Sequence, residues 1–397
     1  MNVLYLADIR FPMERANGIQ TIETCHALAR DGIDVELVVR RSDARSDTAC
    51  LEFFGLGPHP NLRLRRLAIP APGTLWGHLV FAAKCLPLMK DRRHDAVYTR
   101  DLVLADLALR TQWLHGLPVL YEAHTVASVF SEETARLYDV SRSAPPTPAK
   151  LRRLARREHR VCYEAAAVVT ITRGLLDCLV EQHGPLTEAH VVPDGARVLE
   201  PPPPVRKRSP GEPFRIYYIG QLYPWKGVDL LVESMPLLPG AELVIVGGLP
   251  PEPDLDRVRE IARRLGLTER VHFRGFLPPP QVAEERKNAD AFVIPLLDST
   301  TARRFTSPLK LFEAMASGRP IVASDLPSIR EVLRHDENAL LVPPGDTKAL
   351  ASALQRLADE PETGARLAAC AAKDVQRYSW DERGRRLGAL LRRVLSA

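Results

Sequence analysis

Short, unbroken apolar runs, each giving way to a polar loop and then a helical pattern, most constrain what this chain can fold into. "NVLYLAD" (2–8) and "FRIYYIG" (214–220) both open in this way. A run of that length suits a strand covered on both faces, as in a parallel sheet. After the first, Ile22, Cys25, Leu28 and Ala29 recur at helical spacing, Gly32 ends the helix, and "VELVV" follows as the next strand. After the second, Leu230, Leu231 and Met235 mark a helix and "AELVIVG" the next strand. Both are β-α-β units, the second with a proline near its helix end. "DAVYTR", "PVLYEAH" and "AAVVTIT" continue the alternation in the first half, and "VHFRG", "AFVIPL", "PIVAS" and "ALLVP" in the second.

Between the halves lies "EPPPPVRKRSPGEP" (200–213), whose proline run belongs in neither a sheet nor a helix interior. At 397 residues the chain exceeds one ordinary domain. The expected fold is α/β: two Rossmann-like domains, 1–199 and 214–378, joined by the linker 200–213 and facing one another across a cleft. Each would have a parallel sheet with helices on both faces, and ligands collect beyond the carboxyl ends of such strands. The terminal segment 379–397 is a helix with Leu387, Leu390, Leu391 and Val394 on one face. It either ends the second domain or crosses back to the first.

Composition narrows the function. A net charge of +5 is too weak to argue for nucleic acid. No apolar stretch reaches the roughly 18 residues of a membrane span, and the N-terminus reads as a strand instead of a signal peptide. The six cysteines are scattered without metal-ligand spacing, which suits free thiols in a reducing cytoplasm. Walker, His-Glu-x-x-His and Gly-x-Ser-x-Gly motifs are missing, and "GLG" at Gly55 lacks the rest of a dinucleotide fingerprint.

The residues that draw attention sit at expected strand ends. In "SPLKLFEAMASGRPIVAS" (307–324), Ser307 suits a helix N-cap and Pro308 the first helical position, and Gly318 stops the helix. The free N–H groups and positive dipole end there attract phosphate. Glu313, inside the apolar run, lies roughly 9 Å further along the axis at about 1.5 Å per residue, the reach from a diphosphate to a ribose diol. The alternative is an edge-of-core glutamate paired with Lys310. In "GQLYPWKGVDLL", Gly220 permits a tight turn and Lys226 either meets a phosphate or is a solvated loop lysine. Gly18 is a close-approach glycine or a simple turn, and His124 a cleft-edge or a structural histidine. Asp254 and Asp256 are better read as helix-capping acids than as a metal pair. The basic stretch 150–160 is a solvated helix face or a site for anionic lipid, which Trp76, Leu79, Val80 and Phe81 would extend if exposed.

Together these segments resemble the retaining glycosyltransferases of family four, which have the GT-B fold. "GQLYPWKGVDLL" is similar to that family's G-R-L-x-x-x-K-G segment, "SPLKLFEAMASGRPIVAS" to its E-A-M-A-x-G-x-P-V-V-A-S helix, and "VVPDGARV" to its P-N-G-V turn. The resemblance implies that Lys226 binds the donor diphosphate and Glu313 the ribose hydroxyls. Backbone at Ser307, Pro308 and Leu309, flanked by Thr306 and Lys310, would approach the sugar and phosphates. Arg274, Gly275 and Phe276 would lie near the base, Gly18 near the diphosphate, and His124 beside the reacting sugar. Asp8, Arg10 and Asn17 are expected to hold the acceptor.

Two positions depart from the pattern. Phe305 stands where the family commonly has a first glutamate, and Gln221 where it has an arginine beside the lysine. Arg303 or Arg304 is the expected substitute for that charge. The expected enzyme is cytoplasmic, and peripheral at the inner face of an anionic membrane if the basic stretch 150–160 meets lipid. It would move a sugar from a UDP- or GDP-sugar to an acceptor hydroxyl in glycan, glycolipid or polysaccharide biosynthesis. The acceptor would be a sugar, a lipid-linked or a small molecule, with no metal and no cofactor. A GT-B epimerase or a catalytically silent nucleotide-sugar binder remains the alternative.

Overall fold

The computed structural model describes all residues except 72, 138–144, 200–205, 207, 210, 249–252 and 397. The chain forms two units, Met1–Asp194 with Trp380–Ala397, and Gly195–Ser379. The first boundary therefore falls at Asp194, ahead of the expected 199. Much of the proline-rich linker lies outside the described residues. Of the rest, Arg206 pairs with Asp290 at 2.7 Å and so is anchored to the second unit.

Among the described residues the first unit has a seven-stranded parallel sheet: β1 (Asn2–Phe11), β2 (Asp34–Arg41), β3 (Leu62–Leu67), β4 (Ala96–Thr99), β5 (Val119–Ala123), β6 (Ala167–Thr170) and β7 (Ala189–Val191). Its order is β3-β2-β1-β4-β5-β6-β7. The central strands read as continuous apolar runs because both faces are covered. Val3, Tyr5, Leu37 and Val39 pack with Ile22, Leu28, Leu387 and Leu391, while Leu4, Leu6 and Val38 are buried on the other face. The terminal helix Trp380–Ser396 thus belongs to the first unit, laid along helix Ala16–Arg30.

The second unit orders its six described strands β10-β9-β8-β11-β12-β13, all parallel. They are β8 (Phe214–Ile219), β9 (Ala241–Val246), β10 (Val271–Gly275), β11 (Ala291–Ile294), β12 (Ile321–Ser324) and β13 (Leu340–Val342). Ile216, Tyr218, Leu243 and Val293 face Leu231, Val258 and Leu354, whereas Tyr217, Val244, Phe292 and Ile321 face Phe312, Met315 and Ala371. Helix Val228–Ser234 stops short of Met235, which opens a 3-10 turn containing Pro236. Asp254 and Asp256 lie in the first turn of helix Pro253–Arg264, where acids suit the dipole. All six cysteines are free thiols.

Two expectations at helix starts and surfaces need correction. Pro308 is extended, with ψ 121°, so the helix begins one residue late as Leu309–Ala316, with Pro308 and not Ser307 in the cap position. Phe81 is buried under the Arg40 guanidinium, so the large apolar side chains of its helix that stand well out of the surface are Leu75, Trp76 and Leu79.

Candidate functional site

In each sheet the chain leaves the first strand on one side and later crosses to the other. The reversal opens a crevice at the carboxyl ends of β8 and β11, and likewise of β1 and β4. In the second unit the loops after β8 and β11 are pressed together. Gly227 has φ +70°, and a Cβ there would lie 1.7 Å from the Pro295 carbonyl oxygen. Leu297 N–H donates to the Trp225 carbonyl at 3.1 Å. No side chain larger than hydrogen fits at Gly227 unless the loops part.

That clamp presents Lys226 from the short turn Pro224–Lys226, half-buried. Burial lowers its ammonium to a pKa of about 8, and among the described residues no carboxylate offsets the shift. Lys310, on the first turn of helix Leu309–Ala316, points toward the same region. Its Nζ donates to the Tyr218 hydroxyl at 3.2 Å and sits 4.2 Å from that ring's centroid. Burial, then repulsion from Lys226, hold Lys310 well below the ordinary lysine range. Two desolvated cations that repel each other make a place for an anion. Tyr218 in turn donates to the Gln221 carbonyl at 2.5 Å, so Gln221 takes part through its backbone.

Glu313 lies one turn further along the helix. Its partner is Arg286 and not Lys310: Arg286 Nη2 meets Oε2 at 2.6 Å. Glu313 and Lys310 line a small recess with Ile219 and Arg286. The ion pair uses Oε2 and leaves Oε1 for another donor. Sequence reasoning missed Arg286, which lies in the charged run "EERKNAD" and reads there as solvent-facing.

The remaining donor-side residues divide. Thr306 spends its hydroxyl on the Thr301 carbonyl at 2.9 Å, and Ser307 is buried. Phe305, at the end of a π-helical turn, is buried and turned away from solvent. Arg303 is held by Asp298 at 2.8 Å in an exposed pair, so it does not replace the charge missing at Gln221; Lys310 is the cation found near Lys226. Gly275 accepts from Gly247 N–H at 2.9 Å at the strand ends, and Phe276 is half-buried. Arg274 instead pairs with Glu285 at 3.3 Å and lines a separate recess of about 240 Å³ with Tyr217 and His272.

In the first unit the expected acceptor residue Asp8 is already engaged. Arg40 binds both its oxygens, the second at 2.6 Å, and His78 Nδ1 lies 2.6 Å away. Arg10 is exposed, and Asn17 is half-buried and accepts from Thr21 at 3.4 Å. Gly18 lies in the first turn of helix Ala16–Arg30, where a Cβ would come within 2.7 Å of the Met13 carbonyl oxygen. Its close approach is to the chain itself.

His124 follows β5, and its Nε2 lies 2.6 Å from Glu122 Oε1. Glu122 is fully buried and also receives Gln20 Nε2 and Arg383 Nη2, each at 2.7 Å, and the Tyr98 hydroxyl. Burial alone would raise its pKa, but Arg383, His124 and Tyr98 outweigh it and hold the carboxyl well below the usual range. Glu122 and Arg383 were not singled out from the sequence. The signal was a glutamate inside the apolar run "VLYEA", two positions from His124 and so on the same side of the strand.

Among the described residues no group of three or more metal-ligating side chains converges, and no helix is long and apolar enough to cross a membrane. Helix Pro148–Glu164 exposes Lys150, Arg152, Arg153 and Arg156, whereas Arg157 and Arg160 bind Asp106 at 3.2 and 2.7 Å.

Residues 18–195 match the family described as glycosyl transferase 4-like domain, and residues 213–360 that described as glycosyl transferases group 1. The chain is 24% identical to the D-inositol 3-phosphate glycosyltransferase of Thermobispora bispora, over 95% of this chain and 89% of that protein. The sucrose-phosphate synthase of Thermosynechococcus elongatus has the same fold, with a TM-score of 0.80 at 20% identity, covering 100% of this chain and 99% of the other. Anabaena HepE in complex with UDP-glucose gives 0.71 at 19% identity, covering 98% of each chain.

Proposed function

Because this chain belongs to the family-four glycosyltransferases, transferases of GT-B fold, we propose that it moves a sugar from a UDP- or GDP-sugar to an acceptor hydroxyl with retention of anomeric configuration. The observation that carries this reading is the pair of half-buried ammonium groups, Lys226 and Lys310, at the crevice between β8 and β11. A diphosphate supplies the negative charge they lack. Glu313 Oε1, on the next turn, would accept from the ribose diol, while Arg286 holds the carboxylate in place through Oε2.

In the reaction the bond from the sugar's anomeric carbon to the diphosphate oxygen breaks, and its electron pair stays with the diphosphate. The two ammonium groups and the helix start at Leu309 stabilise that developing charge. The acceptor hydroxyl attacks from the same side and gives its proton to the departing phosphate oxygen. No enzyme nucleophile, metal or cofactor is invoked. The acceptor would meet the loops at the carboxyl ends of β1 and β5, where Arg10, Asn17 and His124 lie. The Thermobispora relative is a D-inositol 3-phosphate glycosyltransferase, and HepE binds UDP-glucose, which makes a phosphorylated polyol and UDP-glucose sensible first probes.

The test is a panel of UDP-, GDP- and ADP-sugars, scored for binding and for nucleotide release with and without D-inositol 3-phosphate. Release that depends on an acceptor supports transfer. An altered donor sugar would mean epimerisation, and binding without release a passive nucleotide-sugar binder. A cytoplasmic enzyme touching anionic lipid is a finer proposal, supported by the exposed cations of helix Pro148–Glu164 and by exposed Leu75, Trp76 and Leu79. Flotation with anionic vesicles should then fade with salt, and binding to neutral vesicles alone would refute it.

A further inference from the structure

His124 shares its buried surroundings with a polar cluster that the proposed reaction does not use. Glu122 Oε1 receives three donors: His124 Nε2, Gln20 Nε2 and Arg383 Nη2. Arg383 comes from the terminal helix, more than 250 residues away in sequence, and is itself buried. Its other contacts fix it tightly. Nη1 donates to the carbonyls of Val192 at 2.6 Å and Pro193 at 2.9 Å, and Nε to the Thr24 hydroxyl at 3.1 Å. Gln20 is held in turn by Arg100 at 2.7 Å.

An ionised carboxylate accepts hydrogen bonds and donates none. With Arg383 beside it, Glu122 stays ionised, so the proton in its 2.6 Å contact belongs to His124 Nε2. The neutral imidazole then carries its lone pair on Nδ1. The ring retains 16% of its surface accessible, against none for Glu122, so Nδ1 is the nitrogen left for a ligand. We infer that Glu122 and Arg383 are positioning residues that lock His124 as the Nε2–H tautomer and so present Nδ1 as a hydrogen-bond acceptor for a sugar or acceptor hydroxyl. This rests on the reading above in placing His124 at the reacting sugar, but the tautomer is a property of the protein alone.

The charges around the ring set its titration. Burial and then Arg100 favour the neutral imidazole, while Glu122 and, more weakly, Asp194 favour the imidazolium. The first two prevail, and the ring's pKa lies below the ordinary histidine value. At neutral pH His124 is therefore an acceptor at Nδ1. On acidification it gains a proton there and becomes a donor on both nitrogens.

The full chain, uniformly labelled with ¹⁵N, tests this by long-range proton–nitrogen correlation spectra of the histidine rings, with His124→Gln identifying the signal. Nε2 should resonate as a pyrrole-type and Nδ1 as a pyridine-type nitrogen. In Glu122→Gln the titration midpoint should fall, because the carboxylate that favours the imidazolium is gone. A carboxylate with no contact to the ring would leave the midpoint where it is. An Nδ1–H tautomer in the wild-type chain, or an unmoved or raised midpoint in Glu122→Gln, overturns the inference. Should that variant fail to fold, the wild-type tautomer decides alone. Lack of turnover on the sugar panel would sink the proposed function and leave this result standing.

Discussion

Lys226 makes the donor site pH-dependent in a direction and size that can be worked out. In the free protein, burial brings its ammonium down to a pKa of about 8. A diphosphate beside it favours the charged form, so the complex keeps this proton to higher pH than the free protein does. The complex then binds more protons than free protein plus nucleotide, and affinity must fall as pH rises through the free-state value. For a free-state pKa of about 8, the protonated fraction drops from ~0.9 at pH 7 to ~0.1 at pH 9. From Lys226 alone, UDP should therefore bind roughly ten-fold more weakly at the higher pH. Titration calorimetry at several pH values, in buffers of different ionisation enthalpy, reads both the affinity and the protons taken up. Lys226→Met is the control for titration of the nucleotide itself. That variant should bind more weakly at neutral pH. It also relieves the repulsion on Lys310, so its remaining pH dependence should move upward. An affinity for UDP that is flat from pH 7 to pH 9, or an identical profile in Lys226→Met, would refute the electrostatic reasoning.

Two further substitutions probe the scaffold. Gly227→Ala puts a Cβ on a left-handed residue, a cost of about 1–2 kcal/mol, and drives it against the Pro295 carbonyl. Urea unfolding should show at least that loss, together with weakened UDP binding; wild-type behaviour in both would mean the two loops are not clamped. Leu391→Ala empties a fully buried position where the terminal helix meets the first unit, and a loss of about 2–5 kcal/mol is expected. An unchanged melting temperature would mean the helix is not docked there.

The parallel sheets were legible because strands covered on both faces have to be apolar at every position, as in "NVLYLAD" and "FRIYYIG". β3 and β7 were not, because they lie at the two edges of the first sheet. β3 reads "LRLRRL", with Arg65 bonded to Glu36, and charge on an edge strand discourages pairing with other chains. Glu313 announced itself by standing inside an apolar helix, yet its partner Arg286 was hidden, since an ion pair between distant segments leaves no local pattern. Glu122 carried the same signature and was passed over. Arg383 sits in "WDERGRRLGALLRR" among arginines that do face solvent, and only packing distinguishes the buried one. Asp8 reads from the sequence as a strand end, where a ligand-binding carboxylate would stand, but β1 runs on to Phe11 and Arg40 on the neighbouring strand claims it. Ser307 was one residue out as a cap because Pro308 stays extended before the helix begins.

The most direct measurement is a crystal structure of the full chain with UDP bound. The diphosphate is expected between Lys226 Nζ and Lys310 Nζ, with a ribose hydroxyl on Glu313 Oε1 and the Arg286 pair intact. A nucleotide bound elsewhere, or a Glu313 carboxylate that stays clear of the ribose while the diphosphate is in place, would contradict it.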